Sequence, residues 1–263
     1  VNRVYLWSAF DSHGWPTLSF WTLKMTNIGA SAKERNILLI VRTGVLWVAA
    51  VMVFSIAPEA KADDWSPEKI AEYRAAAAKG EAWAQSNLGI AYAEGMGVPE
   101  DDAAAAKLYT RAAEQGHAQA QNNLGLMYDY GDAVPEDDAT AAKWYTKAAE
   151  QGNVDAQYNL GNMYRFGDGV RQNDATALKW YSKAAEQGAA GAQLNLGLMY
   201  AKGEGVHEDN MPAYMWINLA AAQGHEYAKT LKDRIKDGMT PADISKAQAL
   251  SRECLAKSYK NCG

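Results

Sequence analysis

A chain of 263 residues with 48 % apolar and 22 % charged side chains can bury a large core and falls within the range of ordinary folded proteins. Its formal net charge of −5 argues against a nucleic-acid partner, which requires Lys and Arg to displace counterions, and equally disfavours an anionic membrane surface. The composition is uneven: positions 1–62 hold an apolar run and none of the Ala-Glu-Gln-Gly vocabulary that fills the remainder.

Lys33, Arg35 and Arg42 precede 14 uncharged residues, Gly44 to Ala57, and Ala60-Lys61-Ala62 supplies the small-x-small pattern of a signal-peptidase site. This order predicts a secretory signal within the N-terminal extension 1–62 and a periplasmic or secreted mature chain. A membrane anchor is the rival reading. Crossing ~30 Å of hydrocarbon takes about 20 apolar residues, however, and reaching back to Ile37 to find them would bury Arg42. Residue 1 is Val and Met25 stands close to the basic segment, so Met25 is the candidate start, with residues 1–24 untranslated. Beyond residue 62 there are 20 basic and 28 acidic residues, a net charge near −8.

Residues 65–80 match only the second half of the repeat described next, so 63–80 is expected to be an N-terminal capping helix. From there the chain is periodic. Gly80, Gly116, Gly152, Gly188 and Gly224 recur every 36 residues, and setting 117–152 against 153–188 leaves 23 of 36 positions identical. Within a unit, Ala84, Gln85, Leu88, Gly89 and Tyr92 share one side of a helix at ~100° per residue. Gly95 and Gly97 then break the chain, and Asp101 is placed to cap a second helix. Ala105, Leu108, Ala112 and Ala113 form that helix's apolar stripe, with Trp144, Trp180 and Trp216 in the Leu108 place of later units.

A single hairpin of this length cannot bury its own stripe, whereas stacked copies bury a continuous core and bend around one concave surface. The predicted fold is therefore an all-α solenoid with four units over 81–224. Gly89, Gly125, Gly161 and Gly197 lie inside the first helices at a cost of about 1 kcal/mol each. Close helix approach, with Trp and Tyr rings over the missing side chains, is the expected compensation.

The run Ala156-Gln157, Leu160-Gly161, Tyr164, Gly167-x-Gly169-Val170, Ala177, Trp180, Ala184-Ala185 to Gly188 resembles the Sel1-like repeat, a relative of the tetratricopeptide repeat. Ala133 at the second turn glycine, Leu108 for Trp and Asn173 for the capping Asp depart from the pattern. The resemblance implies a right-handed solenoid that binds proteins, commonly as an adaptor or regulator in envelope or host-contact processes. A cysteine-rich branch of the family is linked with penicillin binding, but these repeats carry no Cys, so that activity does not transfer.

On the first helices the face opposite the packed side is expected to line the groove. It carries Trp83, Ser86, Asn87, Ile90 and Glu94, and their equivalents vary between units. Asn87, Asn123, Asn159 and Asn195 recur without change, and each could hold an extended peptide backbone or simply bond a neighbouring helix. Tyr130, Tyr158, Arg165 and Phe166 fall near the middle of the array and are of the types that dominate binding energy, though aromatics also fill gaps between helices.

His117, His207 and His225 stand alone, with no ligand partner at metal spacing, and the Gly-x-Gly turns follow helices where phosphate loops follow strands, so no metal, cofactor or catalytic group is expected. Residues 225–263 should form capping helices, the last one opened by Thr240, Pro241 and Asp243. Cys254 and Cys262, in an exported chain, are expected to pair. In an unbroken helix they would lie about 12 Å apart, so the helix must end near Ser258, with Tyr259, Lys260 and Asn261 forming the return. A non-catalytic binding scaffold is thus the expected function, with a secreted host-interaction factor or an envelope-acting hydrolase as alternatives.

Overall fold

The computed structural model describes residues 65–260 and 262 in full and, before them, the backbone of 36–43 and 46–53. The chain divides into two compact units, Val1–Asp64 and Trp65–Gly263.

In the first unit β1 (Asn36–Thr43) and β2 (Leu46–Val53) pair antiparallel, from Asn36 opposite Val53 to Thr43 opposite Leu46. The stretch read as the core of a signal therefore contributes a strand, which the sequence reading did not anticipate. Short runs of Ile, Val and Leu suit a strand as well as a buried helix, and periodicity does not separate the two. The candidate start at Met25 and the cleavage pattern at 60–62 lie outside the described residues.

In the second unit every regular element among the described residues is a helix. The capping helix α1 (Pro67–Ala78) comes first. Four pairs follow: α2 (Ala82–Glu94) with α3 (Asp102–Glu114), α4 (Ala118–Tyr130) with α5 (Asp138–Glu150), α6 (Val154–Phe166) with α7 (Asp174–Ala185), and α8 (Ala190–Lys202) with α9 (Asn210–Ala222). The chain closes with α10 (Glu226–Lys236) and α11 (Pro241–Ala256). From α1 to α10 each helix packs on the next in chain order, while α11 returns to α9.

The turns are built as the repeat requires. Each first helix ends on a left-handed glycine, as at Gly131 (φ 69°) and Gly167 (φ 83°). Asp101, Asp137 and Asn173 then cap the second helices, each accepting the backbone N–H three residues on at 2.9 Å, so Asn173 caps as well as Asp does. At Gly169 a Cβ would stand 2.2 Å from the Asp138 carbonyl carbon, so this turn presses directly on the preceding unit's second helix. Ala133, its counterpart one unit earlier, takes a positive φ of 58°.

The glycines inside the first helices are explained by tyrosine in three repeats and by isoleucine in the fourth. A Cβ on Gly89, Gly125 or Gly161 would fall 2.6, 2.7 and 2.7 Å from the rings of Tyr109, Tyr145 and Tyr181, and Ile217 takes that place beside Gly197. The tryptophans expected to share the task do not: Trp144 and Trp180 are only half-buried, with Lys147 and Lys183 over their rings at 4.0 and 4.1 Å. Trp216 is buried in the core between α7 and α9.

Candidate partner-binding face

Successive units are pinned by glutamines. Gln85, Gln121, Gln157 and Gln193 are buried on the packed side of the first helices. Each donates to a carbonyl in the last turn of the preceding second helix, at Ala77, Ala113, Ala149 and Ala185, over 3.0 to 3.4 Å. Each also accepts from a glutamine at the end of its own unit's second helix, Gln115, Gln151, Gln187 and Gln223, over 2.7 to 2.8 Å. A buried amide must satisfy both of its ends, and here one does so by joining three helices. The recurrence of Gln at a 30-residue offset was visible in the sequence but carried no assigned role.

On the face opposite, the structure separates residues that helical periodicity had grouped together. Ser86, Asn122 and Leu194 are buried, where an open surface was expected. This repeat position points at the following first helix. Asn122 accepts from Asn159 at 3.4 Å. A Cβ on Gly191 would meet the Tyr158 ring at 3.2 Å. Leu194 packs in a cluster with Ala228 and Leu231 of α10. Tyr158 also lies 6.0 Å from the Tyr181 ring of its own repeat, and through Gly191 it meets the next repeat.

The recurring asparagines are half-buried. Asn123 accepts from Gln119 at 3.0 Å and meets the Tyr109 hydroxyl. Asn159 donates to Asn122, and Asn195 to Asn162, both at 3.4 Å. Any partner backbone would share or displace these bonds. Tyr130 and Phe166 are different: they hold the same position at the ends of α4 and α6, and both are exposed, at 58 % and 53 %.

Beside Phe166 stands Arg165, its guanidinium carbon 5.5 Å from the ring centre and its Nη2 3.0 Å from Glu204 Oε2. One unit earlier the corresponding residue is Asp129, which accepts the Tyr145 hydroxyl at 3.1 Å. Burial pushes the Asp129 carboxyl above its ordinary range against that hydrogen bond, and Asp138, Asp168 and Glu136 push it further. Asp138 is raised as well, by burial and by Asp168, Glu136 and Asp137. This repeat position is therefore acidic on α4 and basic on α6, where Glu204 pairs with the guanidinium. The Cys254–Cys262 bridge is formed, with a Cα separation of 5.2 Å. Among the described residues no helix is long and apolar enough to cross a membrane.

Helix hairpins pinned in chain order, with a variable row of side chains along the first helices, define an α-helical repeat solenoid. The chain belongs to the Sel1 repeat family, whose model matches residues 84–117, 118–153, 154–188 and 190–225. Sel1 repeats are scaffolds that generally mediate protein interactions. The chain is 35 % identical to a Sel1 repeat protein from Oxalobacter formigenes, over 63 % of this chain and 68 % of that one, with a TM-score of 0.59. It is 27 % identical to c5321, described as a protective antigen of uropathogenic Escherichia coli strains with an SLR fold, over 74 % of this chain and 50 % of that one, with a TM-score of 0.50. A search of curated proteins returned no match.

Proposed function

We propose that this chain is a non-catalytic scaffold, periplasmic or secreted, which takes a protein segment along its first-helix face in the groove that stacked repeats form. The observation that carries the reading is the pair Tyr130 and Phe166, two aromatic rings held in the open at equivalent positions of consecutive repeats. Exposed aromatics cost solvation without adding to the core, and at interfaces they are among the residues that contribute most on burial. Arg165, fixed by Glu204, supplies a preorganised planar donor beside Phe166, and the half-buried Asn87, Asn123, Asn159 and Asn195 line the same helices. Tyr158 supports the face from its junction. A disulfide beyond the last repeat and the signal-like N-terminal segment support export.

The test is comparative capture from envelope extract with wild-type protein and a Tyr130→Ala, Phe166→Ala variant. A specific protein retained by the wild type should be lost from the variant, while both melt alike. Equal retention by a folded variant would overturn the reading.

A further inference from the structure

Helix α11 is fastened to α9 by groups other than its cysteine. Ala247 is fully buried, the Ser251 hydroxyl, which donates to the Ala247 carbonyl at 2.9 Å, stands 3.3 Å from the Met215 carbonyl, and Gln248 Nε2 donates to the Tyr214 hydroxyl at 3.2 Å. Past Ala256 the chain doubles back. Ser258 and Tyr259 take φ of 51° and 64°, values that residues with a Cβ seldom adopt, and the Tyr259 N–H returns to the Cys254 carbonyl at 2.9 Å. The Tyr259 ring then lies over Gly188, 3.1 Å from where a Cβ would stand, just beyond the end of α7. Tyr259 and Cys262 both pack on the core formed by α7, α8 and α9. The bridged tail is thus a strap that reaches from the last helix to the third repeat.

An open hollow lined by Leu250, Glu253, Cys254, Lys257 and Cys262 gives onto the bridge. Cys254 is 2 % exposed and Cys262 is half-buried, so Cys262 is the more accessible of the two cysteines. We propose that Cys254–Cys262 is a thiol–disulfide exchange site whose partner is a dithiol, and that its reduction frees the Tyr259 strap from Gly188 while the repeats stay folded. One thiolate of the dithiol bonds to Cys262 Sγ as the Cys254–Cys262 bond breaks. The bonding pair leaves on Cys254 Sγ, and this thiolate takes up a proton. The second thiol of the dithiol then attacks the mixed disulfide and releases Cys262 as a thiol, so the protein gains two thiols and the dithiol ends as a cyclic disulfide. No other cysteine exists in the chain, so the redox change stays local.

The experiment treats folded protein with dithiothreitol and follows alkylation of both cysteines by mass, together with tryptic cleavage after Lys257 and Lys260. The expected result is reduction within about tenfold of the rate in concentrated urea, tail cleavage accelerated about tenfold, and unchanged far-ultraviolet dichroism. Cys262→Ser should show the fast cleavage without any dithiol. A bridge that reacts only after global unfolding, a tail cut equally fast with and without the bridge, or loss of helix in Cys262→Ser would each overturn the proposal.

Discussion

The Tyr181 ring lies 2.7 Å from where a Cβ on Gly161 would stand, inside a helix where glycine is otherwise the poorest choice after proline. The ring is fully buried and its hydroxyl donates to Asn162 Oδ1 at 2.6 Å, so it has little room to retreat. Glycine is therefore required for helix approach, and substituting it sets two effects in opposition. Alanine would gain about 1 kcal/mol of helix propensity, while overpacking a buried ring costs about 1–3 kcal/mol. Gly161→Ala is expected to lower stability by about 1 kcal/mol and Gly161→Leu by more, as read by urea denaturation. A stabilised Gly161→Ala protein would contradict the packing account.

The glutamine relay makes a second prediction. Gln157→Leu removes one hydrogen bond to the Ala149 carbonyl and one acceptor of the Gln187 amide, groups that keep the Gly152 N–H and the Gly152 carbonyl as their other partners. Each lost hydrogen bond costs about 0.5–1.5 kcal/mol, so a loss of about 1–3 kcal/mol is expected, larger than for Gln119→Leu on the partly open face. Equal losses at the two positions would remove the relay from the account of how repeats are joined.

Ala133 holds a left-handed backbone that its counterparts Gly169 and Gly205 adopt freely. A Cβ there costs about 1–2 kcal/mol, and the extra unfolded-state freedom of glycine returns about 0.4–1 kcal/mol of that. Ala133→Gly should raise stability by about 0.5–1 kcal/mol, measurable as an upward shift in the urea midpoint.

Asp129 supplies the pH test. Its carboxyl lies above the ordinary value of 3.8 in the folded chain, first through burial and then through Asp138, Asp168 and Glu136. The folded state then binds this proton more tightly than the unfolded state, so its contribution to stability falls as pH rises from 3.8 through the folded value. Asp129→Asn keeps an acceptor for the Tyr145 hydroxyl and removes the charge. The variant should melt higher than wild type at pH 7, with the difference shrinking as the pH is lowered towards 3.8. A gap that widens on acidification would reverse the assignment.

These residues also show what the sequence could disclose. The 36-residue period, the helix hairpins, the caps at Asp101 and Asn173 and the folded-back cysteine pair were legible because each is a local rule written in residue type and spacing. The burial of Ser86, Asn122 and Leu194 was not, because it depends on how closely successive first helices approach, which single-helix periodicity does not encode. Tyrosine was chosen over tryptophan at the glycines by a one-residue rotation, about 100° around the second helix. The β1–β2 pairing was hidden by the ambiguity of short apolar runs. Of the candidate site, the exposure of Tyr130 and Phe166 matches their place on the open side, while Tyr158 and the asparagines turned out to hold neighbours as well.

The central claim is that partners are taken on the first-helix face, and site-specific photocrosslinking in cells tests it most directly. A benzophenone side chain placed at Phe166 should yield a discrete covalent adduct on irradiation, while the same probe at Trp180, on the second helix beside Lys183, should yield none. An adduct at Trp180 with nothing at Phe166 would place the binding surface on the other side of the repeats and contradict the account.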